Sequence, residues 1–542
     1  MLGRQNELQR LEDLYNSSRF EFLVMYGRRR VGKTTILQEF AKRHEAVFLS
    51  AQEKNDTLNL LDFSKTIQLR FDKHFIASFA GWEDAFDYIT TKSVQREQSS
   101  GKTIIMIDEF PFIARQNPSV KSILQHTIDR SWKTRNILLI LCGSSVSFML
   151  NEVMGYKSPL YGRATSSMEV LPFDYLESAA FFPGYSNVQK TVAYGILGGI
   201  PQYLSEFSDQ SGIRENIRDH ILMPGSFLYD EPSALLRMEL REPGVYASIL
   251  EAIASGHNRI IEISDAIHEE RAKVSKYITT LTTLRLIQKQ SPCGEPENSK
   301  KSIYTLTDSY FRFWFRYISA NKSYYELLGT EEASIEIEKN LNDFMGPSFE
   351  LICMQYLRRQ AKLRRLPFIP YHLGKWWGNN PAIHAQDDID ILAINKKEDE
   401  ALFCECKFTN RPMPMEEYDD LIHATMAFPN IQKKHLMFIS KSGFTKPVIK
   451  RAADEACTLL CIDDLYIDIA RNHFKRGGCR TCDSPPYIIQ SDIQQLAVLR
   501  QRTVRFVSEN LLRKNLAKLD AFLVKAVDVP CKALEHDLIL EM

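Results

Sequence analysis

The stretch Met25-Tyr26-Gly27-Arg28-Arg29-Arg30-Val31-Gly32-Lys33-Thr34-Thr35 decides how the rest of the chain is read. An apolar run, Phe20 to Met25, leads into it, and a helical stretch, Thr35 to Lys42, leaves it. The pattern Gly27-x4-Gly32-Lys33-Thr34, after a strand and before a helix, is that of a phosphate-binding loop. Its glycines let the backbone curl so that N–H groups point inward at phosphate oxygens. The helix start adds the positive end of its dipole. Gly27, Arg28, Arg29, Arg30, Val31, Gly32, Lys33, Thr34 and Thr35 are therefore the expected nucleotide-binding residues. Lys33 is placed to reach the β- and γ-phosphates, and the Thr34 hydroxyl to hold Mg2+.

A second stretch answers the first. Thr103-Ile104-Ile105-Met106-Ile107-Asp108-Glu109 reads as a buried strand ending in two acids. After a phosphate loop, Asp108 is placed to bind Mg2+ through water, and Glu109 to orient or activate the attacking water. Val47 to Leu49 reads as a short strand and Ser119 to Trp132 as a helix. Ile137 to Cys142 is a continuous apolar run, fit for a strand covered on both faces.

The chain has 542 residues, enough for about three or four domains of roughly 150 residues. Lys and Arg total 68, as do Asp and Glu, so any nucleic-acid site must be local rather than a property of net charge. No apolar run approaches the ~18 residues that a membrane span needs. The first residues form no secretory leader, and the 10 cysteines are scattered like reduced thiols. A cytoplasmic protein is expected.

Gly3-Arg4-Gln5-Asn6-Glu7-Leu8 opens an amphipathic helix. This resembles the opening segment of archaeal-type ATPases of the AAA+/STAND group. The resemblance covers Gly3 to about Tyr229 and implies a P-loop ATPase domain with a helical lid over residues 1–230, with ATP and Mg2+ as cofactors. It implies that Ser144, in Gly143-Ser144-Ser145, senses the γ-phosphate. It also implies that Arg163, in Tyr161-Gly162-Arg163-Ala164, contacts the γ-phosphate in cis or in trans, which makes a homo-oligomer an expected partner. Gly198-Gly199-Ile200-Pro201 resembles the lid element that packs on the nucleotide.

Over 235–320 the order is helix, helix, helix and hairpin, the signature of a winged helix-turn-helix. The second helix is expected to be capped at Ser264. The third helix would offer Lys273, Ser275, Lys276, Thr279, Thr280 and Thr283 to DNA phosphates or base edges. The aromatic run Asp308 to Tyr317 has the spacing of core rather than of a base-stacking surface. Residues 321–345 read as a connecting stretch of helix, a linker.

The last readable module spans 346–470. A helix over Ser348 to Leu357, strands over Ile389 to Ile394 and Ala401 to Phe408, a helix from Glu417 to Phe428 and a strand from His435 to Ile439 follow in order. This order resembles the α/β core of PD-(D/E)xK nucleases, and Trp376-Trp377-Gly378 matches the uncharacterised domain that follows many archaeal-type ATPase domains. Glu405 and Lys407 share a strand face because side chains alternate. The resemblance implies that Asp390 and Glu405 hold Mg2+ with the carbonyl of Cys406, that Lys407 orients water for attack on a phosphodiester, and that Glu350 assists. DNA or RNA would then be the substrate, and Arg358, Arg359, Lys362, Arg364 and Arg365 a backbone track. The competing reading is an ATP-gated switch whose last module only binds a partner or nucleic acid. Residues 471–542 read as a helical extension, with helices from Leu496 to Val527. Cys479 and Cys482 near His473 are too few ligands for a zinc site.

Overall fold

The computed structural model describes residues 2–97 and 101–467. The extension beyond residue 470, with Cys479, Cys482, His473 and the expected helices from Leu496 to Val527, lies outside the described residues. Among the described residues no helix is long and apolar enough to cross a membrane. Their seven free cysteines, Cys142, Cys293, Cys353, Cys404, Cys406, Cys457 and Cys461, are all buried.

Five parallel strands form the first sheet: β1 (Glu21–Tyr26), β2 (Ala46–Ser50), β3 (Thr103–Asp108), β4 (Ile137–Gly143) and β5 (Ser166–Glu169). Their order is β2-β3-β4-β1-β5. The three central strands are β3, β4 and β1, and they are the near-continuous apolar runs of the sequence. Such runs suit a parallel sheet with both faces covered. One face packs Leu23, Met25, Met106 and Ile140 against the opening helix (Gln5–Asn16) and the loop helix (Lys33–Arg43). The other packs Phe22, Val24, Ile105 and Leu139 against Phe63, Phe86 and Trp132.

After β5 the chain becomes helical. The lid helix (Phe227–Glu239) precedes three helices, Pro243–Ala254, Ile260–Ile267 and Arg271–Thr283. These run into an antiparallel hairpin of β6 (Ile287–Gln290) and β7 (Ile303–Leu306). The middle helix starts earlier than the cap expected at Ser264. The Glu262 carboxylate accepts from the Asn258 and Arg259 N–H groups, and Ser264 sits inside the helix with its hydroxyl donating to the Glu269 carbonyl. The aromatic run is core, as its spacing predicts: Tyr310, Phe311, Phe313, Trp314 and Phe315 are all buried. Residues 321–345 are not a free connector. They form the helices Lys322–Leu328 and Thr330–Lys339 and the first turn of a long helix (Leu341–Lys362). Ala333, Ile337, Phe344 and Met345 bury that segment.

The second sheet has the order β12-β11-β10-β9-β8, from β8 (His372–Asn380), β9 (Ala385–Ile394), β10 (Glu400–Lys407), β11 (Lys433–Ser440) and β12 (Thr458–Cys461). The pairs β8/β9 and β9/β10 are antiparallel, and β10/β11 and β11/β12 are parallel. The long helix covers one face through Phe349, Ile352 and Cys353 against Ile391, Cys404 and Cys406. A helix over Met415–Ala424 covers the other. One apolar core runs without a break from Phe173, just after β5, through the three helices, to Leu465 beyond the second sheet.

Candidate functional sites

The loop closes around Lys33. A Cβ at Gly27 would stand 2.4 Å from the Val170 carbonyl oxygen, so only glycine lets β1 and the segment after β5 meet there. Gly32 has φ 92°, the left-handed region that glycine occupies without strain. The Lys33 ammonium is buried and donates to the carbonyls of Gly27 and Arg28, both at 2.8 Å. Burial lowers its pKa, partly opposed by the nearby charges of Glu109 and Asp108.

The acidic strand meets the loop as its spacing predicts. The Thr34 hydroxyl donates to Asp108 Oδ2 at 2.6 Å. Glu109 follows with φ 52°, and that turn swings its carboxylate across to the end of β4. There it accepts from the Ser144 N–H at 3.2 Å and from the Ser144 hydroxyl. Thr34, Asp108, Glu109 and Ser144 thus form one connected polar row at the carboxyl ends of β1, β3 and β4. Ser144 orients Glu109 rather than standing alone.

The three loop arginines turn away from the curl of the loop toward acidic partners. Arg28 pairs with Asp308 at 2.7 Å, Arg29 with Glu239 at 2.6 Å and Arg30 with Glu231 at 2.7 Å. Arg30 also lies over the Phe227 ring. Burial pushes Glu231 up to about 7 against the pull of Arg30. What Arg28, Arg29 and Arg30 can offer a phosphate is therefore their backbone N–H groups. Their side chains tie the loop to the lid helix and to Asp308, two residues past β7.

Arg163 stands apart. It precedes β5, where the Thr165 N–H donates to the Phe22 carbonyl near the start of β1. Its guanidinium pairs with Asp129 at 2.8 Å. The strands are parallel, so this is the rim of the sheet opposite to the loop. The contact in cis is not made.

The second group of polar residues depends on a bulge. Gly374 pairs with Leu392 and Trp376 with Ile389, so Lys375 alone on β8 faces both Asp390 and Ile391 on β9. Bulges re-aim side chains and recur beside functional sites. The β9/β10 ladder spans Ile391 to Ile394 and does not include Asp390. Asp390 Oδ2 then accepts from the Cys406 N–H at 2.9 Å. Lys375 Nζ lies 2.8 Å from Glu350 and 3.3 Å from Asp390. Lys407 Nζ lies 2.8 Å from both Glu405 and Glu417.

Glu350, Asp390, Glu405 and Lys407 are thus brought together, and Lys375 and Glu417 join them. Burial first, then Asp390, pushes Glu350 up to about 7 and Glu405 well up. Burial disfavours the two ammonium groups, but the carboxylates outweigh it and raise both Lys375 and Lys407. Among the described residues no three His, Cys, Asp or Glu side chains form a ready metal cage. Two carboxylates completed by a carbonyl and water nevertheless suit Mg2+, which keeps several waters when bound. The crowded carboxylates are the chemistry that such a cation would relieve.

On the third of the three helices, Ser275, Lys276 and Thr279 face solvent, while Val274, Tyr277, Ile278 and Leu281 face the core. Lys273 pairs with Glu269 at 2.9 Å. The Thr279, Thr280 and Thr283 hydroxyls donate to carbonyls of their own helix.

Residues 1–207 match the family described as an ATPase domain predominantly from Archaea. Residues 314–419 match a family of archaeal and bacterial proteins of unknown function. An uncharacterised protein of Methanocaldococcus jannaschii is 32% identical over 412 residues, which cover 75% of this chain and 87% of that protein. The Walker-type ATPase of Pyrococcus abyssi is similar over 58% of this chain and 96% of its own, at 20% identity and TM-score 0.44. The ORC2 protein of Aeropyrum pernix, solved with ADPNP and ADP, is similar over 61% of this chain and 96% of its own, at 13% identity and TM-score 0.37. The loop and the parallel sheet define a P-loop ATPase. Within that class the chain carries an archaeal-type ATPase domain over residues 1–207, and it belongs to one family with the uncharacterised Methanocaldococcus protein.

Proposed function

We propose that this ATPase drives a metal-dependent phosphodiesterase in its own second sheet. The observation that carries the reading is the bulge at Asp390, which gathers Glu350, Asp390, Glu405 and Lys407 at one place. In the ATPase site, the loop N–H groups and Lys33 bind the phosphates of ATP. Thr34 and Asp108 would hold Mg2+, and Glu109, oriented by Ser144, would take the proton of the attacking water. In the second site, Asp390 and Glu405 would hold Mg2+ with the Cys406 carbonyl; a bound cation there supplies positive charge to the phosphate and acidifies water. Lys407 orients that water, and Glu350 assists from the long helix. The three helices and hairpin form a winged helix, with Ser275, Lys276 and Thr279 as its exposed contacts for DNA.

The test is cleavage of DNA and RNA with Mg2+ or Mn2+, with and without ATP. Asp390→Ala and Lys407→Ala are expected to remove cleavage and leave ATP turnover nearly unchanged, since the two sites lie on different sheets. A broad substrate panel left intact by the wild type would end the nuclease reading. One observation favours the second reading, a switch that only binds: Lys375 already meets the charge of Glu350 and Asp390 without a metal. Arg163, facing away from its own loop, suits a role in trans at the loop of a second copy. Turnover per subunit is then expected to rise with protein concentration and to fall in Arg163→Ala. A flat profile in the wild type would remove that role.

A further inference from the structure

Beside the phosphate loop lies a cavity of about 770 Å³. That is within the roughly 300–1,000 Å³ typical of small-molecule and cofactor sites. Loop residue Arg28 is in its wall, as are Arg4 and the Gly198-Gly199 element. Arg4 also donates to the Val31 carbonyl of the loop at 2.8 Å, so the cavity adjoins the loop on this side. A molecule held by its phosphates on the loop N–H groups has this space for its remaining part.

The opposite wall is unexpected. It is the long helix of the second sheet, through Leu351, Gln355, Arg358, Arg359 and Lys362. Two of these are already engaged. Gln355 accepts from the Tyr175 N–H and donates to the Tyr194 hydroxyl, and Arg359 lies 3.3 Å from Asp174. Arg358 and Lys362 are exposed and make no hydrogen bond or ion pair with the described residues. A basic last turn is ordinary helix chemistry, but here it borders a cavity that reaches the loop. A guanidinium stacks on aromatic ring faces and an ammonium suits oxygen acceptors.

We propose that the long helix is part of the nucleotide site. Arg358 lies on the base and Lys362 meets the ribose oxygens of a nucleoside triphosphate whose phosphates sit on the loop. This rests on the nucleotide-binding reading of the loop. The same helix carries Glu350 eight residues earlier, about 12 Å along its axis. Nucleotide occupancy is therefore felt by the helix that also supplies a carboxylate to the second site.

The experiment measures displacement of a fluorescent ATP analogue from the full chain, with ATP and inorganic tripolyphosphate as competitors. The double variant Arg358→Ala/Lys362→Ala is expected to lose about tenfold or more in ATP affinity, the size of one or two charged contacts. Its tripolyphosphate affinity is expected to match the wild type, and Arg358→Lys to recover only part of the loss. Both side chains are exposed, so the fold should survive, and circular dichroism checks this. Equal ATP affinity in the double variant and the wild type would overturn the proposal. So would a parallel loss for ATP and tripolyphosphate, which would place these residues at the phosphates. A wild type that binds no ATP while properly folded would remove the loop reading itself, and Lys33→Ala, which should lose both competitors, separates that failure from this one.

Discussion

Lys33→Ala is expected to abolish ATP binding, and Glu109→Gln to keep binding while losing turnover by about a hundredfold or more. The two outcomes differ because the two side chains meet the nucleotide differently. Lys33 is buried in the curl of the loop, where its ammonium already holds two carbonyls. Its charge there attracts phosphate in every state of the reaction, so its loss removes binding. Glu109 makes no hydrogen bond or ion pair with the loop, although its charge lies near Lys33. It is held at the end of β4 by Ser144, a place suited to a water rather than to the phosphate chain. Its loss should act on the chemical step alone. Binding by calorimetry beside a phosphate-release assay checks both. Undiminished ATP affinity in Lys33→Ala would refute the assignment of the loop.

Asp308→Ala is expected to lower stability by about 3–5 kcal/mol, because it leaves the guanidinium of Arg28 buried without its partner. Arg28 and Asp308 are 9% and 2% exposed. Asp308 has a second role: its carboxylate accepts from the Phe311 N–H and caps the helix that begins at Ser309. That cap is worth about 1 kcal/mol. Asp308→Asn keeps an acceptor for the cap and loses the charge, so it separates the two terms. Arg28→Met combined with Asp308→Asn should regain much of the loss, since removing both charges ends the unpaired burial. Urea unfolding of the four proteins measures this. A midpoint for Asp308→Ala within error of the wild type would mean that the pair is not formed.

The ATPase sheet was legible because β1, β3 and β4 are apolar on both faces and because the loop spacing is rigid chemistry. The Thr34–Asp108 contact follows from those two facts. Glu405 and Lys407 were legible from strand alternation. Lys375 was not. It lies in β8, whose mixed Trp, Gly and Asn composition gives no clear period, and it reaches Asp390 only through a bulge, which no sequence period announces. The partners of Arg28, Arg29 and Arg30 were hidden for another reason. They come from residues more than two hundred positions downstream, and an acid in the sequence carries no mark of what it will meet. Whether Arg163 acts in cis or in trans was left open, because proximity in sequence to β5 does not say which rim of the sheet it occupies.

The unbroken core from Phe173 to Leu465 has a consequence for how this chain can be divided or inherited. Domain borders ordinarily fall where few apolar contacts cross, which lets modules be cut apart or exchanged between genes. Here any cut between the lid and the second sheet would put Phe344, Met345, Phe349 and Ile352, or the residues facing them, into water. Recombination that brought in a different terminal module would have to supply a matching long helix with it. A shortened version made in the laboratory would expose a patch fit for aggregation.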